Sequence, residues 1–95
     1  MADAHQIERW EHAESALRAA LSQLRPLIPP KDASFTEEFL DHNELGLAMD
    51  TLVEATLASS VSELPPGIQS HLRRASTEMD GYAPDVWDEF VARFE

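Results

Sequence analysis

The chain has 95 residues, with seven Lys plus Arg against eighteen Asp plus Glu, for a formal net charge of −11. That length holds one small domain, and 43% hydrophobic residues supply the apolar side chains that disordered acidic tails lack. So much negative charge is repelled by phosphate backbones and anionic headgroups, which excludes direct nucleic-acid and membrane binding from the expected functions.

Ile7, Trp10, Ala13, Leu17, Leu21, Leu24 and Ile28 recur at steps of three and four, the stripe of an amphipathic helix. Pro26 and then Pro29-Pro30 stop it, so the first helix is expected over about 4–25. Ser34-Phe35-Thr36-Glu37 has capping-box spacing, which predicts a short second helix that begins at Ser34 and buries Phe35 and Phe39. The pattern breaks at Asp41-His42-Asn43. Asp41 or Asn43 is expected to cap a third helix over about 44–59, with Glu44 in its first turn. Leu45, Ala48, Met49, Leu52, Ala55 and Thr56 form its inner face, and Gly46 is expected to admit another backbone. Pro65-Pro66 suits the first turn of a fourth helix carrying Ile68, Leu72, Ala75 and Met79, with Gly81 as a left-handed stop. Pro84 opens a last short helix with Val86, Trp87, Phe90, Val91 and Phe94, and Trp10 and Trp87 read as packing residues. No stretch alternates with period two, so the expected fold is all-α: one compact domain of four to five helices over residues 1–95.

Candidate chemistry is sparse. The chain has no cysteine, hence no disulfide, thiolate nucleophile or zinc–thiolate site. His5, Glu8 and His12 share a helix face, but two histidines seven apart are far for one ion and no fourth ligand is evident. Glu38 with His42, or Asp41 with Glu44, stand at a helix junction where capping explains them. No nucleotide-binding loop, nucleophile elbow or EF-hand is present. Neither an enzyme nor a cofactor or metal site is expected. The start of the chain lacks the basic and apolar regions of a signal peptide, and no apolar run approaches the roughly 20 residues of a membrane span. The expectation is a cytoplasmic protein.

The charge is unevenly distributed. Residues 1–31 sum to zero, residues 32–72 hold eight acids and no Lys or Arg, and residues 73–95 sum to −3. Helical geometry gathers Glu37, Glu38 and Asp41 opposite Phe35 and Phe39, and sets Leu47 beside Asp50, Thr51 and Glu54 on a polar side. An exposed leucine among acids has the composition of an interface anchor ringed by steering charges.

The run Phe39-Leu40-Asp41-His42-Asn43-Glu44-Leu45-Gly46-Leu47-Ala48-Met49-Asp50-Thr51-Leu52 resembles the signature of the MafI-like family of small bacterial immunity proteins. That signature has an aromatic residue, then acid-His-x-Glu-x-Gly-Leu-Ala, then an acid and a leucine. Length, acidity and the run Pro65-Pro66-Gly67-Ile68 resemble the family too. The resemblance implies a protein made beside a polymorphic or contact-dependent toxin, which protects the producing cell by binding it. Many such toxins are nucleases, whose basic surfaces an acidic protein can cover. The expected interface is Glu37, Glu38, Asp41, Glu44, Leu47, Asp50 and Glu54, and the expected partner a toxin with a basic surface. The alternative is an acidic adaptor or nucleic-acid mimic that regulates a basic nucleic-acid-binding protein. Self-association through an apolar face extended by Val53 and Leu57 is open but not the expectation.

Overall fold

A computed structural model describes residues 4–94; Asp3 and Glu95, counted in the charge above, and the start of the chain lie outside it. The long stripe forms α1 (Ala4–Leu24), which closes through a 3-10 turn over Arg25–Leu27. Ala13, Ala16, Leu17, Ala20, Leu21 and Leu24 are buried along it, whereas Ile7 at the start of the stripe is 46% exposed. Alanines at three of those positions leave room for other helices to approach closely.

The second helix begins earlier than its capping box suggests. α2 is Pro30–Asp41, with Pro30 in the first turn and extended Pro29 before it. Proline suits that position because its φ is already helical and its missing amide would have no helical partner. The Pro29 carbonyl receives the amides of Asp32 and Ala33 at 3.0 and 3.1 Å, so the proline pair ends one helix and opens the next. Ser34 therefore lies inside the helix as an exposed residue, not at its cap. Ala33, Thr36 and Leu40 are the residues α2 buries. Phe35 is 43% exposed and Phe39 only half-buried, contrary to the expectation for both.

α2 joins α3 (Leu45–Ala58) through His42, Asn43 and Glu44. Here Asn43 closes the preceding helix instead of capping the next. It is left-handed at φ 58°, its amide donates to Leu40 at 3.1 Å, and that of Glu44 donates to Phe39 at 2.8 Å. Those two bonds are the Schellman pattern, in which asparagine is the common substitute for glycine. Glu44 takes the cap position of α3 and makes no side-chain capping bond. The inner face of α3 is as expected, with Val53 also buried.

Pro65 and Pro66 precede α4 (Ile68–Glu78) and lie outside its first turn; Gly67, at φ 90°, is the residue that starts it. α4 ends in a second Schellman turn, with Asp80 left-handed at φ 61° and the Gly81 amide donating to Ser76 at 2.8 Å. A turn over Pro84 leads into α5 (Trp87–Phe94).

Among the described residues the fold is all-α, with five α-helices in one bundle and one buried cluster. α4 lies along α1, α2 along α3, and α5 against α3. The radius of gyration is 12.6 Å, close to the roughly 12.4 Å expected of a compact chain this long. Phe90 is fully buried, its ring 5.5 Å from Trp87 and 5.0 Å from Phe94. Trp10 and Trp87 pack against the core from its edge. The two buried polar side chains, Thr36 and Thr56, donate back to the carbonyls of Asp32 and Leu52 at 2.8 and 2.7 Å. Among the described residues no helix is long and apolar enough to cross a membrane.

Candidate partner-binding surface

The seven residues expected at an interface divide among three places. Two are neutralised from α1 and its 3-10 extension. Arg25 donates to Glu37 at 2.9 Å, and Arg18 donates to Asp41 at 2.9 Å while also reaching Glu14 at 2.9 Å. The hydrogen bonds it donates to Glu14 and then to Asp41 hold the Arg18 guanidinium above its already high range. These pairs are largely exposed and each contributes at most about 1 kcal/mol. Their consequence is electrostatic: the segment has no Lys or Arg of its own, yet the fold sets two arginines against its carboxylates.

Asp50 stands at a second place, turned toward the loop between α4 and α5. Both its carboxylate oxygens accept from the Tyr82 hydroxyl, at 2.7 and 2.9 Å. Gly46, one turn earlier on the same side, lies under the Tyr82 ring. A Cβ there would sit 3.3 Å from the ring's Cζ, so the close approach that requires glycine comes from a side chain and not from a backbone. Burial first, then the hydrogen bond to Asp50, and then the charges of Asp50, Asp85 and Glu54 push the Tyr82 phenol up to about 12.

The third place is the outward surface of the α2–α3 hairpin. Asp32, Phe35 and Phe39 from α2 face Thr51, Glu54, Ala55 and Ala58 from α3 across an open groove of about 500 Å³. Short α3 side chains give the groove depth, and the two phenylalanines make its wall. Leu47, 48% exposed, stands one turn before Thr51 on the same ridge of α3, and Thr51 donates to its carbonyl at 2.8 Å. Lys31 places its ammonium 5.8 Å from the centre of the Phe35 ring. Among the described residues no cation of the chain forms an ion pair with Asp32, Glu38, Glu44 or Glu54. The burial pattern of α2 was the sequence signal missed here: a helix entered at Pro30 turns Phe35 away from the core.

The other candidates resolve differently. His42 is fully exposed, and its Nδ1 donates to the Glu38 carbonyl at 2.9 Å. That bond, with the nearby Glu38, Glu44 and Asp41 charges, raises its pKa above the usual imidazole value. His5, Glu8 and His12 line an open depression with Arg9 and Glu78, but no three metal-ligating side chains converge among the described residues. Arg9 meets Asp80 at 2.7 Å and Glu78 at 3.6 Å, so a cation already answers those carboxylates. A larger polar depression lies under the Ser62–Gly67 loop, where Arg93 donates to the carbonyls of Leu57, Ser59 and Val61.

Most of the run from Phe39 to Leu52 has a structural task here. Phe39 and Leu40 supply carbonyls to the Schellman turn that Asn43 closes, and Leu45, Ala48, Met49 and Leu52 are core. Gly46 and Asp50 receive Tyr82. Leu47 is the apolar member left with no packing task that requires it. No family model, curated protein or solved structure matches the chain.

Proposed function

We propose that this chain is an immunity protein of the MafI-like kind, which neutralises a cognate bacterial toxin by binding it through the outer surface of α2 and α3. The observation that carries the proposal is Leu47: the other aliphatic residues of the 39–52 run are buried, whereas this leucine is held 48% exposed on a helix that also carries Glu54. A lone surface leucine is ordinary, but Phe35, 43% exposed, and half-buried Phe39 add apolar surface on the neighbouring helix, and grouped apolar exposure marks interaction surfaces.

The surrounding charge favours a basic partner, and a nuclease domain has such a surface because its substrate is polyanionic. Glu38, Glu44 and Glu54 steer that partner and then face its bases. Glu37 and Asp41 contribute less, since Arg25 and Arg18 already offset them, and Asp50 serves chiefly to hold Tyr82. Attraction of this kind raises association rates by roughly 10- to 1,000-fold and fades as salt is added.

Co-expression with the neighbouring reading frame tests the proposal. The expected result is that the neighbour is toxic alone, harmless with this chain, and co-purifies with it. A neighbour that is harmless alone, or toxic but unbound, refutes the immunity role. Leu47→Arg with Glu54→Lys is expected to abolish protection at unchanged helicity, and unimpaired protection places the interface elsewhere.

A further inference from the structure

We infer that the α2–α3 groove takes a basic amphipathic helix from the protein partner, its apolar stripe lying on Phe35 and Phe39 and its flanking Arg or Lys meeting Asp32 and Glu54. The inference rests on the protein-binding reading above and specifies which part of the partner enters and where.

Three features of the groove select this occupant. The first is its form. Phe39, Phe35 and Asp32 descend one helix while Thr51, Ala55 and Ala58 ascend the other, so the groove runs along the hairpin between large residues on one side and small ones on the other. Its lining runs from Asp32 to Phe39 on one helix and from Thr51 to Ala58 on the other, about 12 Å, which matches two turns of a third helix.

The second is the backbone of the occupant. An extended segment gains its affinity by pairing with a strand edge, and the described residues contain no strand. Against helical side chains its amides would lose water without finding partners. A helix satisfies its own backbone and presents only side chains to the groove.

The third is charge. The acids on the α1 side of α2 are matched by Arg18 and Arg25, whereas Asp32 and Glu54 at the groove are matched by no ion pair among the described residues. Complementarity therefore distinguishes the two sides of one helix. The Phe35 ring already accepts an ammonium, that of Lys31, so an aromatic wall and cationic side chains are compatible here. A second copy of the chain, with its own net charge of −11, is the wrong sign for the site.

The probe is a synthetic fourteen-residue peptide with leucines at helical spacing flanked by arginines, paired with a scrambled peptide of equal composition and charge. Both are titrated into the full-length protein at about 0.15 M salt, with amide shifts in NMR spectra locating the contact. The expected result is saturable binding of the patterned peptide, at least about tenfold tighter than the scrambled one, with the largest shifts at residues 32–39 and 51–58. Phe35→Ala with Glu54→Gln should weaken it about tenfold or more, while Glu37→Gln with Asp41→Asn, which removes two negative charges instead of one, on the other side, should change it less than about threefold. Equal binding of both peptides, larger losses from the α1-side pair, or shifts centred elsewhere would each overturn the inference. Shift mapping on the unaltered protein keeps the test decisive if the groove variant folds poorly. A toxin that binds without perturbing the groove refutes this inference and leaves immunity standing. A harmless neighbour combined with tight peptide binding does the reverse.

Discussion

Tyr82 is the chain's one tyrosine, which makes the latch over the signature helix directly measurable. Its hydroxyl spans both oxygens of Asp50 at 2.7 and 2.9 Å, and its ring covers Gly46. The phenol, pushed up to about 12 by burial first and Asp50 second, is harder to ionise folded than unfolded, where its value is 10.0. A raised folded pKa means the stabilisation is fully present below pH 10 and is lost as pH climbs from about 10 to about 12. Two pH units correspond to at most about 2.7 kcal/mol. Because Tyr82 is 37% exposed, solvent screening reduces this to about 1 kcal/mol. Near-ultraviolet absorbance of the phenolate reads the titration, with far-ultraviolet circular dichroism recorded alongside to establish that the protein is still folded. Asp50→Asn should lower the midpoint while leaving it above 10, since burial remains, and should lower Tm by roughly 4–8 °C for each kcal/mol lost. Tyr82→Phe should flatten part of the stability loss across the same window. A native phenol that titrates at 10, or a phenylalanine variant that unfolds just as steeply, would refute the reasoning.

Phe90→Ala removes a fully buried ring stacked on Trp87 and tilted against Phe94 and should cost about 3–5 kcal/mol, a drop in Tm of at least about 12 °C in thermal melts. Arg93→Ala deprives three carbonyls at the end of α3 of one guanidinium; α5 amides should exchange faster by a factor matching about 1–2 kcal/mol, and lysine should restore only part because it lacks the planar fork. At Asn43, with φ 58°, glycine should leave urea stability within a few tenths of a kcal/mol, whereas valine should lose about 1–2 kcal/mol.

The helices that bury one clean stripe were legible, because periodicity depends only on the chain's own spacing. The inner faces of α3 and α4 are of this kind, as is the stripe of α1 from Ala13 onward. Boundaries were less so where one residue type serves two purposes. Pro29-Pro30 both ends a helix and starts one, and reading only the stop shifted α2 by four residues and turned Phe35 inward. Asn43 likewise suits the start or the end of a helix, and only the bonds to Phe39 and Leu40 decide between them. The contacts of Arg18 with Asp41, Arg25 with Glu37 and Tyr82 with Asp50 join residues 23, 12 and 32 apart, and no local pattern encodes them. For that reason the acidic segment read as one face. The fold instead leaves two acids matched by arginines and one holding Tyr82, with Glu54 across a groove from Phe35 and Phe39.

The central claim, that the exposed surface of α2 and α3 binds a protein, is tested most directly by calorimetric titration of the neighbouring gene product with this chain and with its Leu47→Arg variant. Leu47 is already half in water, so the variant should melt within about 1 kcal/mol of the parent. The expected result is a one-to-one complex that the substitution weakens by about 2–4 kcal/mol, roughly 30- to 1,000-fold. The absence of a complex, or one that binds the arginine variant equally well, would contradict it.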